Sequence, residues 1–335
     1  MDIDIKEEVY KCSKCGLCQS VCPIYLATKN EMYLPRGRYI ILNNFFNNQK
    51  KLSKKFLKNL DVCLNCNLCK DFCPSNIDME QIIEKLKNQY CKTIIPFSFY
   101  YKFLLYFYRF FNFKKVYKPK NLGLKGNVLY FEGCYNKYIN PIDKNASLKL
   151  IEELGYKITK IIPNCCGYPL LSDGNLSEFE KNAEKIISEC NGNFDYIVCS
   201  CDSCFSNLLK IKNEDFTSKL ITLDKLLELN NYKLSTEKKV YFYKPLLRKN
   251  EVYSPFEFEK INKKGTCSLM ENFFMLKHRN LAKQIRNSVF NSVEQMKEKD
   301  IITTCNLTKW GLSKQLKRKV FSYSEYVFFK EIKKL

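Results

Sequence analysis

The spacing of apolar residues changes character near residue 126. Downstream of it, an apolar run NVLYFEGC (127–134) precedes a helical SLKLIEELG (147–155) that stops at glycine, and KITKII (157–162) follows, which predicts strand, helix, strand. Ser177 and Glu180 have the spacing of a capping box ahead of Phe179, Ala183, Ile186, Ile187 and Cys190 at helical intervals, and DYIVCS (195–200) reads as a short buried strand. A similar unit starts at KKVYFYKPL (238–246). It continues through a long helix with Leu281, Ile285, Val289, Val293 and Met296 on one face, opened by His278, and returns through IITTC (301–305). The two units, 127–237 and 238–335, read as an internal duplication. Laying one over the other pairs Cys201 with Cys305 and Cys165 with Cys267.

Upstream the pattern differs. Residues 1–90 carry two copies of one cysteine run separated by a Lys/Asn-rich segment. Residues 91–126 read as a connector, whose PFSFYYKFLLYFYRFFNFKKVYKPK (96–120) is aromatic and basic. Packed against the α/β units this stretch is a helix with one apolar face; facing a bilayer interface it places aromatics down and cations toward anionic lipid. The fold expected is multidomain α+β.

The chain is 335 residues long, enough to bury an ordinary core, and its 25 Phe and 22 Tyr argue against wholesale disorder. A formal net charge of +21 raises nucleic acid as a partner, but no reading motif accompanies it, so none is expected. The 18 cysteines against a single His are the outlier. The opening MDIDIKEEVY is acidic and polar, unlike a secretory leader. Reducing cytoplasm is the expected compartment, where clustered cysteines hold metal more often than they form disulfides.

Cys12-x2-Cys15-x2-Cys18-x3-Cys22-Pro23 and Cys63-x2-Cys66-x2-Cys69-x3-Cys73-Pro74 both match the bacterial ferredoxin run. In that run three thiolates converge on one cubane and the fourth reaches the other. The expectation is an α-helical two-cluster ferredoxin domain with Cys12, Cys15, Cys18 and Cys73 on one [4Fe–4S] cluster and Cys63, Cys66, Cys69 and Cys22 on the other. Paired zinc sites prefer two C-x2-C pairs and would leave thiols idle. Loaded with two such clusters of charge −2, the protein keeps a charge of about +17. Between the runs, Pro35-Arg36-Gly37-Arg38 reads as a turn with solvated arginines, or as a pair of cations facing an acidic partner or a cluster.

In the first α/β unit Cys134, Cys165, Cys166, Cys201 and Cys204 all fall at strand ends, and in an open sheet those ends share one edge. Five sulfurs with an adjacent pair exceed a zinc site, so a third, iron–sulfur centre is expected, with Gly167 letting the backbone pass close to it. Cys199, Cys91 and Cys190 read as core thiols. The second unit has only Cys267 and Cys305, with Leu246, Ser268, Leu269 and Thr308 at the other matching places. Two thiols cannot hold a cubane, so it reads as a structural half-copy. His278, without companions, reads as a surface or capping residue.

These motifs, with CPIY (22–25), FEGC (131–134), NCCG (164–167), CDSC (201–204) and HRNLAKQIRN (278–287), resemble the iron–sulfur subunits of glycolate oxidase, anaerobic glycerol-3-phosphate dehydrogenase and lactate oxidation complexes, related to heterodisulfide reductase. The resemblance implies two CCG-type units after the ferredoxin domain. It also implies an electron-transfer role beside an FAD-containing dehydrogenase, relaying toward quinone on the inner face of a membrane, or thiol chemistry as in heterodisulfide reductase. Neither a dinucleotide fingerprint nor a P-loop is present in the sequence.

Overall fold

The computed structural model describes residues 4–48, 51–90, 97–111, 117–120, 124–233, 240–245, 251–255, 258–260, 270, 273–284, 300–317 and 319–328. Leu246, Cys267, Ser268, Leu269 and Cys91 lie outside them, as does the long apolar face beyond residue 284.

The N-terminal part is helical: α1 (Ile5–Tyr10), α2 (Pro23–Thr28), α3 (Pro35–Asn48), α4 (Lys54–Leu60), α5 (Leu68–Asp71) and α6 (Met79–Tyr90). Val9, Tyr39, Leu42, Phe56, Leu60, Ile82, Ile83 and Leu86 form its core. The PRGR segment starts α3. Proline's fixed φ suits a first helical position, so the expected turn is absent.

Helix α7 (Phe97–Phe111) packs Tyr101 and Leu105 into the next core and leaves Phe99, Tyr100, Phe103, Tyr106 and Phe107 exposed. Both the packed helix and the exposed aromatic stripe are therefore present, on opposite faces. No described helix is long and apolar enough to cross a membrane.

Two parallel four-stranded sheets follow. Strands β1 (Gly126–Phe131), β2 (Tyr156–Ile162), β3 (Tyr196–Cys199) and β4 (Leu220–Thr222) lie in the order β2-β1-β3-β4. They are connected by α8 (Gly133–Tyr138), α9 (Pro141–Glu153), α10 (Tyr168–Ser172), α11 (Leu176–Glu189), α12 (Asp202–Leu208) and α13 (Glu214–Ser218), with α14 (Leu223–Leu229) after β4. The second sheet repeats the order as β6-β5-β7-β8, from β5 (Val240–Phe242), β6 (Phe258–Lys260), β7 (Ile301–Thr303) and β8 (Phe321–Ser322), with α15 (Phe274–Lys277), α16 (Asn306–Leu316) and α17 (Tyr323–Tyr326). Matching order in sheets of matching sense is what a duplicated unit produces. The α11 cap is Asn175, whose side chain accepts from the Glu178 amide at 3.3 Å, and not Ser177. Asn and Ser cap equally well, and the helix starts two residues earlier than the box implied.

The helical part is tied to the sheets by ion pairs and apolar contact. Lys210, just after α12, reaches Glu80 at 2.7 Å and Glu84 at 2.8 Å on α6. Lys87 pairs with Asp61 at 2.5 Å and donates to the Ser172 carbonyl at 2.9 Å. Ile24, Val62 and Leu64 share a core with Tyr243, Phe274, Ile301, Leu312 and Val320 of the second sheet's unit.

Candidate metal centre

The two cysteine loops adopt one conformation. Lys14 and Gly16 in the first, and Asn65 and Asn67 in the second, are left-handed at matching places. These residues turn the chain so that successive thiols face inward, at modest cost where Gly or Asn stands. After each run a proline ends the loop, Pro23 as the first residue of α2 with Cys22 as its N-cap. The fourth thiol thereby leaves its own loop. One cavity is lined by Cys12, Cys15, Cys18 and Cys73, with Arg36 and Tyr39. The neighbouring one is lined by Cys22, Cys63 and Cys66, with Arg38 and Ile24, and Cys69 stands in the wall of both. Cys22 and Cys73 have thus changed places. Among the described residues no three His, Cys, Asp or Glu side chains close on a single metal ion; the sulfurs ring hollows instead.

The first cavity faces solvent through Cys15, whose thiol is held below its usual range by the Leu17 amide, while burial pushes Cys12 and Cys18 up. At the second, burial pushes up Cys22, and Cys66 and Cys69 strongly. Arg36 pairs with Glu31 at 3.0 Å. Of the two readings of Arg38, the structure departs from a solvated turn residue and puts the side chain in the wall of the second cysteine cavity. It is 1% exposed and, among the described residues, donates only to the Asn59 carbonyl at 3.4 Å, leaves Nε without a partner and meets no carboxylate. A buried, unpaired guanidinium is costly, and an anionic thiolate-bound cluster in the second cavity would supply the missing counter-charge. The donors and this orphaned cation fit an iron–sulfur group.

In the α/β region Cys134 lies on α8 after β1, Cys165 and Cys166 follow β2, and Cys201 and Cys204 flank the start of α12 after β3. All five gather at the carboxyl edge of the first sheet. The thiols lie in a row in which neighbours, Cys134 and Cys165, Cys165 and Cys166, Cys166 and Cys204, Cys204 and Cys201, are close enough to shift one another's ionisation. The contacts with Cys204 and Cys305 hold Cys201 well below the ordinary thiol range; the contacts with Cys166 and Cys201, with burial, push Cys204 well above it. Tyr101 Oη lies 3.8 Å from Cys134 Sγ and Asn207 Nδ2 3.7 Å from Cys166 Sγ. Both glycines beside the thiols have positive φ: a Cβ at Gly133 would sit 3.1 Å from Cys204 Sγ and one at Gly167 2.6 Å from the Phe179 ring, while the Gly167 backbone lies close enough to the Cys165 thiol to act on it. Cys199 and Cys190 are buried in the core as expected.

Cys305, expected as a plain core thiol, is buried and adds a sixth member to the row through Cys201. Thr308 is buried beside it on α16. His278 is half-buried at the end of α15, its ring 5.3 Å from Phe274 and its Nε2 without a partner among the described residues. Sequence reasoning offered Arg38 both as a solvated turn residue and as a cation beside a cluster, and missed the contacts of Tyr101 and Asn207 with the thiols. Only the alignment of Cys201 with Cys305 signalled the meeting of those two thiols.

Comparison with known proteins places family models over both cysteine-bearing regions. The model of a 4Fe-4S dicluster domain matches residues 8–77, and that of a cysteine-rich domain matches 128–209. The chain is 22% identical to the glycolate oxidase iron-sulfur subunit of Escherichia coli, over 87% of this chain and 86% of that one. It is 24% identical to one subunit of the dihydromethanophenazine:CoB–CoM heterodisulfide reductase of Methanosarcina acetivorans, over 50% of this chain and 48% of that one. It is also 24% identical to one subunit of the fumarate reductase (CoM/CoB) of Methanothermobacter marburgensis, over 59% of this chain and 42% of that one.

Proposed function

We propose that this iron–sulfur protein, which joins a 4Fe-4S dicluster domain to a cysteine-rich domain, is the electron-relay subunit of a flavin-linked oxidoreductase acting on a 2-hydroxy acid of the glycolate or lactate type. The observation that carries the reading is the exchange of Cys22 and Cys73 between adjacent cavities. Cys12, Cys15, Cys18 and Cys73 hold one [4Fe–4S] cluster, Cys63, Cys66, Cys69 and Cys22 the second, and Cys134, Cys165, Cys166, Cys201 and Cys204 a third iron–sulfur centre. When bound, these groups take up and release one electron at a time.

The chain's own residues position and tune them. Arg38 balances charge at the inner cavity, Tyr39 seals the outer one, and Lys210 and Lys87 clamp α6 against the unit bearing Cys204. Oxidation of an alcohol to a carbonyl removes two electrons and needs a hydride acceptor, so an FAD-containing dehydrogenase subunit collects the pair. The exposed aromatics of α7 with Lys102, on a strongly basic chain, support a peripheral position at the inner membrane face, next to quinone. Glycerol 3-phosphate is the alternative substrate for the same architecture.

The test is anaerobic mixing of the reconstituted chain with candidate flavoproteins and glycolate, lactate or glycerol 3-phosphate. Visible bleaching of the clusters is expected only with flavoprotein and substrate together; turnover by the chain alone would overturn the relay reading. A second reading, reduction of a disulfide at the cysteine-rich site, is favoured by a cavity of about 580 Å³ that opens beside Cys134 and Cys165. Lys102, Lys137 and Lys185 line it, as does Asn164, whose buried Nδ2 has no partner. Disulfide reduction by the isolated chain would select it.

A further inference from the structure

We propose that Cys305 is a sixth sulfur ligand of the cysteine-rich site, donated by the second α/β unit to the iron that Cys201 holds. The proposal rests on the reading that Cys134, Cys165, Cys166, Cys201 and Cys204 carry an iron–sulfur centre, and adds that both units build it.

Cys201 and Cys305 occupy equivalent places. Each follows the third strand of its unit and is the N-cap of the helix beyond, with nearly the same backbone, φ −131° and ψ 119° at Cys201 and φ −118° and ψ 122° at Cys305. The two turns face each other and are bonded together. The Asp202 amide donates to the Thr304 carbonyl at 3.1 Å, and Thr304 Oγ1 donates to the Asp202 carboxylate. Ser203 Oγ lies 2.9 Å from Cys305 Sγ, and the Cys201 and Cys305 thiols are close enough to shift each other's ionisation. Backbone and side-chain bonds therefore hold this sulfur against the row rather than leaving it to chance packing. Cys199 and Cys190 supply the contrast: both are buried in the same core, and among the described residues neither thiol has a side-chain hydrogen-bond partner as Cys305 has in Ser203. A cysteine serving only as a small apolar filler needs no such partners. Cys305 lies at the end of the row beyond Cys201, so the iron within reach of Cys201 is the one it joins, exchanging its thiol proton for the metal.

The test uses the full chain, reconstituted anaerobically, with Cys305→Ser, Cys201→Ser and the double variant. The readouts are iron per chain, release of iron to a chelator, and the electron paramagnetic resonance of the cysteine-rich centre. The signals of the two cubanes report folding in every sample. Cys305→Ser should shift that resonance and speed iron release about tenfold, Cys201→Ser should keep iron at the site, and the double variant should lose it. Cys305→Ala must act in the same direction, and Cys190→Ser should leave the centre unchanged. An unaltered spectrum and release rate in Cys305→Ser, with the double variant behaving as Cys201→Ser alone, would overturn the proposal. If the wild-type chain binds only the iron of two cubanes and Cys134→Ser and Cys165→Ser change nothing, the third centre itself is absent, and the proposal goes with it.

Discussion

Replacing Arg38 by methionine should change stability in opposite directions in the metal-free and the loaded protein. The guanidinium is 1% exposed, has one long hydrogen bond at 3.4 Å and leaves Nε unpaired. Burying an orphan donor costs about 1–3 kcal/mol, and an unpaired charge more. Methionine fills similar space without that penalty, so metal-free Arg38→Met should be more stable by about 2 kcal/mol after loss of the single bond. With a cluster of charge −2 in the second cavity the sign reverses. At an effective dielectric constant of about 20, a unit cation attracts such a charge by about 3–5 kcal/mol over roughly 7–10 Å. The loaded variant should therefore be the less stable form. Reduction adds one negative charge, and losing its attraction to Arg38, about 2 kcal/mol, should lower one potential by roughly 70–100 mV. Guanidinium unfolding of both forms, with redox titration followed by electron paramagnetic resonance, measures all three. If methionine destabilises the metal-free protein and leaves both cubane potentials in place, Arg38 is a packing residue and the counter-charge argument fails.

Gly37 sits where α3 passes the Glu31–Tyr33 turn, and a Cβ there would lie 2.0 Å from the Glu31 carbonyl oxygen. Gly37→Ala should cost about 2 kcal/mol of stability, since overpacking outweighs about 1 kcal/mol of helix propensity; a stabilised variant in thermal melts would contradict this. Cys73→Ser should disturb the resonance of the cluster of the first motif more than that of its own, and the opposite outcome would remove the crossed ligation. Burial and the neighbouring Lys87 push the Lys277 ammonium down to about 8. From about pH 8 to 10.5 the unfolded chain keeps a proton that the native site has released, so stability rises with pH over that window. Lys277→Met should remove up to about 3 kcal/mol of that rise, seen as a flatter pH dependence of the denaturation midpoint; parallel curves would show that Lys277 is not the titrating group.

Much of this protein is written in local spacing. A C-x2-C-x2-C-x3-C-P run carries its chemistry in a dozen residues, so both loops and the departure of Cys22 and Cys73 are legible in the chain itself. Strand, helix and strand after residue 126 are likewise legible, because burial of one face imposes its period on the chain. Parallel strands bring their carboxyl ends to one edge, which is why five thiols spread over 70 residues could be expected together. Long-range packing decided the rest. Whether Arg38 reaches water depends on α4, 21 residues away, folding over it. The aromatic helix shows one period on both of its faces, and only its docking on α8 and α10 settled that Tyr101 turns in and Phe103 out. The meeting of Cys201 with Cys305 depends on how two sheets face each other across 102 residues of sequence separation in the Asp202–Thr304 bond. Local pattern carries no information on such a relation, because it is fixed by the shared core between the units and not by any single segment.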